Sequence, residues 1–129
     1  MNCLLDTCTL LWLADDPDQM PQSVRRVLSE PGSVIHVSPV SAWELGIKVA
    51  KGKLQLPNPV SEWFPEVCRW NGLVELPLDS RLAARSTELS PIHKDPFDRI
   101  LIATAMEHAL TLVTPDDRIR QYPNLKSLW

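Results

Sequence analysis

The chain alternates strand-sized apolar runs with helix-patterned stretches, and that alternation restricts its fold more than any other feature. Cys3-Leu4-Leu5, Val34-Ile35-His36-Val37, Leu73-Val74-Glu75-Leu76 and Leu110-Thr111-Leu112-Val113 read as short, largely buried strands. Leu125 to Trp129 adds a candidate edge strand. Between them, Thr9 to Ala14 predicts a short helix. Pro21 opens a second, whose Val24, Val27 and Leu28 share one face until Pro31-Gly32 stops it. Ser38 is a cap followed by proline at the first helical position, which predicts a helix from Pro39 to about Lys51. Gly52 to Pro59 reads as a loop, and Val60 to Trp70 as a helical segment interrupted at Pro65. Asp79 caps a helix carrying Leu82, Ala83 and Leu89, and Asp95-Pro96 opens one from Phe97 to about Ala109. Strands alternating with helices imply an α/β fold, a central parallel β-sheet with helices on both faces. With 129 residues, 44% of them hydrophobic, residues 1–129 fit a single domain with a sizeable core.

Several classes fall away on composition. No apolar run approaches the roughly 20 residues that span a bilayer, and Met1 to Asp6 lacks the basic start and long apolar stretch of a secretion signal. Cys3, Cys8 and Cys68 form no CxxC and no zinc spacing, which fits free thiols in a reducing cytoplasm. The net charge of −3 argues against a protein that coats nucleic acid by overall charge. It leaves room for a nuclease whose acids hold metal in one pocket while basic residues elsewhere meet phosphates.

In an open α/β sheet the site lies beyond the carboxyl ends of the strands. The polar residues just past each apolar run are therefore the informative ones, and most are acidic. Asp6 ends the first strand, and Glu44 lies early in the helix after the second. Asp98 lies in the first turn after Pro96, and Asp116 follows the last internal strand. Four carboxylates at one end of a sheet repel unless a cation neutralises them, and hard oxygen ligands suit Mg²⁺ or Mn²⁺.

Each acid also has an ordinary structural explanation. Glu44 has capping-box spacing from Ser41 and precedes Lys48 by one turn, a favourable surface pair. Yet Val40, Trp43 and Ile47 form an apolar stripe, and Glu44 falls within roughly 40° of its centre. Asp98 heads a stripe continued by Leu101, Ile102, Ala105 and Ala109, so it should face inward, whereas capping accounts well for Asp95. Asp6, Asp116 and Asp117 are each plausible turn or cap residues when taken alone.

The local strings resemble the PIN-domain VapC family in order along nearly the whole chain. The matching segments are Leu4-Leu5-Asp6-Thr7 with Leu10-Leu11-Trp12, then Ser38-Pro39-Val40-Ser41-Ala42-Trp43-Glu44-Leu45 with Lys48 and Gly52-Lys53-Leu54. His93-Lys94-Asp95-Pro96-Phe97-Asp98-Arg99 with Ile102-Ala103 follows, and Leu112-Val113-Thr114-Pro115-Asp116 comes last. Cys8 stands where that family often has histidine, and Pro115 where a small residue is common. The resemblance implies a metal-dependent endoribonuclease, with Asp6, Glu44, Asp98 and Asp116 as catalytic and metal-binding residues for Mg²⁺ or Mn²⁺. Asp117 leaves the register of the fourth acid open by one residue. It further implies the toxin of a VapBC-type toxin–antitoxin pair, a VapB-like antitoxin whose C-terminal segment wraps the domain, and a homodimer.

The chemistry implied is metal-assisted attack of water on a phosphodiester, with Glu44 or Asp116 orienting or deprotonating that water. His36, His93 and His108 lack paired metal-ligand spacing, so packing or dipole roles are expected of His36 and His108. Lys48, Lys51, Lys53, Arg99, Arg118 and Arg120 are candidate phosphate contacts, each with a solvated surface charge as the plain alternative. Trp12, Trp43, Trp63 and Trp70 are expected in core or interface rather than as base-stacking platforms. A two-component receiver domain needs a lysine after the last strand, where Thr114-Pro115-Asp116 stands, and a haloacid-dehalogenase phosphatase needs a second acid at Cys8. The remaining alternatives share the fold: a housekeeping RNA-processing nuclease, a DNase, or a catalytically silent PIN-like binding module.

Overall fold

A computed structural model describes all residues, 1–129. Five strands, β1 (Asn2–Leu5), β2 (Val34–Val37), β3 (Val74–Glu75), β4 (Thr111–Val113) and β5 (Ser127–Leu128), form one sheet in the order β3-β2-β1-β4-β5. Every pairing is parallel, so the expected α/β architecture is what the chain adopts. β1 lies at the centre, with Cys3 opposite both Ile35 and Thr111.

Alternation along β1 divides the core in two. Cys3 and Leu5 pack on one face with Leu10 of α1 (Thr7–Asp15), Val24 of α2 (Gln22–Ser29) and Phe64 of α4 (Val60–Asn71). Leu4 faces the other way, onto Val40 of α3 (Pro39–Ala50) and Leu101 and Ile102 of α6 (Pro96–Glu107). These side chains are almost fully buried. The chain is completed by α5 (Ser80–Thr87), the single-turn α7 (Asp117–Arg120) and a 3₁₀ turn at Pro17–Gln19. Neither of the last two is marked by hydrophobic periodicity.

Two expectations change. α4 passes through Pro65 without interruption. Pro65 is exposed while Trp63 and Phe64 beside it are buried, so packing of those rings outweighs one lost helical hydrogen bond. The buried side of α3 is Val40, Ser41 and Leu45, not Val40, Trp43 and Ile47. Trp43 is 61% exposed and Trp70 79%, whereas Trp63 is core.

Three helices end in the same way. α3, α4 and α6 each close with a backbone N–H reaching five residues back, Lys53 to Lys48, Leu73 to Cys68 and Leu110 to Ala105, at 2.8–2.9 Å. The residue before each donor is left-handed: Gly52 at φ 71°, Gly72 at φ 62°, and Ala109 at φ 53°. A Cβ is strained there, by about 1–2 kcal/mol. Ala109→Gly is therefore expected to stabilise the fold by about 0.5–1 kcal/mol, once the extra freedom of glycine in the unfolded chain is set against it. Urea unfolding of the two proteins measures the difference, and a destabilised variant would contradict it.

Candidate metal centre

The carboxyl ends of β1 and β4 meet at a shared hydroxyl. Asp6, 4% exposed, leaves β1 and caps α1 through Oδ1, which accepts from Thr9 N at 2.8 Å. Its Oδ2 accepts from Thr114 Oγ1 at 2.5 Å, and the same hydroxyl accepts from Asp116 N at 3.1 Å. One buried threonine thus fixes two acids of different strand ends against each other. Asp116 in turn caps α7, its Oδ1 accepting from Arg118 N at 2.8 Å, while Asp117 is exposed in the following turn.

The other two acids come from helices, Asp98 from the first turn of α6 and Glu44 from the second turn of α3. Asp95 caps α6 by accepting from Phe97 N and Asp98 N, as expected, and this orients Asp98. Asp98 Oδ2 accepts from His93 Nε2 at 2.8 Å, and the same nitrogen lies 3.6 Å from Asp116 Oδ2. Donor atoms of His93, Asp98 and Asp116 all lie within 4.8 Å of one another. Burial, with the charges of Asp95 and Glu44 added, pushes the Asp98 carboxyl up to about 7, although His93 pulls the other way. Glu44 sits on α3 with its side chain 14% exposed; Oε2 is 3.5 Å from Lys48 Nζ, and Oε1 is buried with no hydrogen-bond partner.

The residues therefore fit a divalent cation. They are hard oxygen donors from separate elements, largely desolvated, mutually repulsive, and one buried oxygen lacks any donor.

The sequence model of the PIN domain matches residues 3–125. This chain belongs to the PIN-domain family. The PIN chain is 29% identical to a protein named Ribonuclease VapC22 from Mycobacterium tuberculosis over 129 residues, covering 98% of this chain and 97% of that one. The crystal structure of VapBC2 from Rickettsia felis bound to a promoter DNA fragment superimposes with a TM-score of 0.71 at 17% identity, covering 99% of this chain and 98% of that one. The DNA-bound VapBC structure from Salmonella typhimurium gives 0.67 at 17% identity, covering 99% and 97%. At such identities these two structures bear on the fold, which they share with this chain across its length.

Within this PIN domain the structure reassigns several residues. His93, which has no paired metal-ligand spacing in the sequence, is 8% exposed and stands between two of the acids. Its signal is the short reach to Asp98, five residues on, which spacing rules for paired ligands do not catch. Arg99 is committed within the fold. Its guanidinium donates to the carbonyls of Ser86, Leu89, Ser90 and His93 and to Tyr122 Oη, at 2.8–3.2 Å. It ties down the loop that carries His93. Lys48 is paired with Glu44, while Lys51, Lys53, Arg118 and Arg120 are exposed. His36 Nδ1 bonds to Cys3 O at 3.0 Å and His108 caps the end of α6, in line with structural roles. Cys8 Sγ donates to Asp6 Oδ1 at 3.3 Å, and burial together with the Asp6 charge pushes its thiol up to about 12. It acts as a weak donor to the acid, not as a nucleophile. No helix is long and apolar enough to cross a membrane.

Proposed function

We propose that this PIN-domain chain is a Mg²⁺- or Mn²⁺-dependent endoribonuclease, the toxin of a VapBC-type pair, with residues 1–129 acting as one nuclease domain in the cytoplasm. The observation that carries this reading is the gathering of His93, Asp98 and Asp116 donor atoms within 4.8 Å of one another, with Asp6 tied to the Asp116 segment through Thr114 and the Glu44 charge acting on Asp98. The likeness to a VapC ribonuclease supports RNA as substrate, and the VapBC neighbours support a VapB-like antitoxin as partner.

Asp6, Asp98, Asp116 and Glu44 would hold the metal, with Asp116 as the fourth acid because it, and not Asp117, reaches His93. When bound, the cation supplies Lewis acidity toward a phosphodiester and toward water. The chain's own residues do the rest. Thr114 holds Asp6 Oδ2 and accepts from the Asp116 backbone N–H, which sets both residues in place before substrate arrives. His93 holds one oxygen of Asp98 and leaves the other free. Glu44 Oε1, with no protein donor, is the carboxylate oxygen best placed to accept a proton from water. The basic antitoxin side chain that the family implies would meet these same acids. Exposed Trp70 and the half-buried pair Trp12 and Trp129, 5.6 Å apart, offer apolar surface for the antitoxin or a homodimer contact.

Purified protein is expected to cleave RNA with Mg²⁺ or Mn²⁺ and to stop on chelation, and Asp6→Asn and Glu44→Gln should each remove cleavage without unfolding the chain. Expression in a bacterium lacking the antitoxin should arrest growth, and Asp6→Asn should relieve the arrest. Soluble, active protein with no effect on growth would remove the toxin reading and spare the nuclease.

A further inference from the structure

We propose that Trp43, braced by Phe97, is a stacking platform for a nucleobase of single-stranded RNA beside the acidic centre, a role that rests on the nuclease reading above. Tryptophan is usually buried, yet Trp43 is 61% exposed while its chain neighbour Glu44 turns into the cluster. Its ring is not loose. It packs edge-on against Phe97, with centroids 5.0 Å apart and planes at 78°. Phe97 is the chain neighbour of Asp98. The aromatic pair therefore spans α3 and α6 and flanks two of the four acids, one from each helix. An open, largely apolar groove of about 420 Å³ adjoins Trp43, bounded by Val60, Phe64 and Pro65 with Glu75 as its one charged residue, so it suits the face of a base and not the phosphates.

Three features select RNA over a protein as the occupant. The rings sit beside the acids and not on a remote face. A base stacked there leaves its backbone near the cluster, where its phosphate would be cut. Lys51, exposed at the C-cap of α3, lies roughly 80° round the helix from Trp43, on the half that also presents Glu44. It supplies positive charge for a flanking phosphate, as strand-binding grooves do. Every base has a π-face, so the platform grips any sequence. Trp70 is more exposed still but has no ring partner and lies on α4, away from the acids.

The test uses the full chain carrying Asp98→Asn, which leaves RNA uncut during titration. In that background Trp43→Ala is expected to weaken binding of a short single-stranded RNA oligonucleotide by about 5- to 100-fold. Trp43→Phe should recover most of the loss. An abasic ribose-phosphate strand of the same length should bind all three proteins alike. With Asp98 restored, Trp43→Ala should raise KM for cleavage by a similar factor and leave kcat nearly unchanged. Equal RNA affinity with and without Trp43 would overturn the platform, as would an equal loss on the abasic strand. So would a dimer, seen by light scattering, that dissociates in Trp43→Ala while RNA affinity stays the same, because the face would then belong to a second copy. No cleavage by protein with both Trp43 and Asp98 intact would instead strike the nuclease reading, so the two failures separate.

Discussion

Asp98→Asn is expected to lower RNA cleavage by at least about 100-fold and, in chelator, to melt above the unsubstituted chain. Both effects have one cause. Asp98 is buried beside Asp95 and Glu44, and its carboxyl is pushed up to about 7, so the ionised form is disfavoured by the fold. Asn removes that charge at constant volume. Adding Mg²⁺ or Mn²⁺ should stabilise the unsubstituted protein by mass action and the variant much less. The pH dependence follows in sign. The folded state holds this proton up to about 7, against an ordinary 3.8 in the unfolded chain, so metal-free stability should fall as pH rises between those values. Asp98→Asn should flatten that fall. Melts of both proteins across pH, with chelator and with metal, decide the matter. A variant destabilised in every condition, beside a parent indifferent to metal, would mark Asp98 as an ordinary helix-start residue.

Arg99→Ala should destabilise the fold strongly, costing about 3 kcal/mol and about 10 °C in Tm. The guanidinium collects four backbone carbonyls from Ser86 to His93, and Tyr122 Oη completes the knot by accepting from His93 N at 2.9 Å and donating to Ser90 O at 2.8 Å. Arg99→Lys keeps the charge but not the planar fork, and should recover only a small part. Cleavage should drop as well, because the loop holding His93 against Asp98 loses its anchor. Urea unfolding gives the first effect. A loss below 1 kcal/mol in Arg99→Ala would show that the carbonyls are satisfied by water at no cost.

The sheet and the acids were legible for related reasons. Short apolar runs ending on Asp6 and Asp116 report both a strand and its exit, and Asp95-Pro96 announces a helix whose first turn must carry Asp98. What stayed hidden depends on contacts between distant segments. No local pattern says that the backbone carbonyls of Ser86 to His93 converge on Arg99, so it reads as surface charge. His93 enters the site only because that knot places it. Hydrophobicity alone does not rank the face of α3 correctly. Ser41 is fully buried because its Oγ accepts from Thr7 Oγ1 at 3.0 Å, and turning Ser41 inward turns Trp43 out.

The clasp of Thr114 on Asp6 joins residues 108 positions apart. A ribosome needs about 5–20 s to add that many residues. Throughout that interval β1 has no β4 beside it, Asp6 has no hydroxyl to hold it, and neither Asp98 nor Asp116 is in place for most of it. A growing chain therefore has no assembled acidic cluster until the strand that leads to Thr114 has joined the sheet. The strand order ties completion of the cluster to the pairing of the central strand with one that follows it by more than a hundred residues.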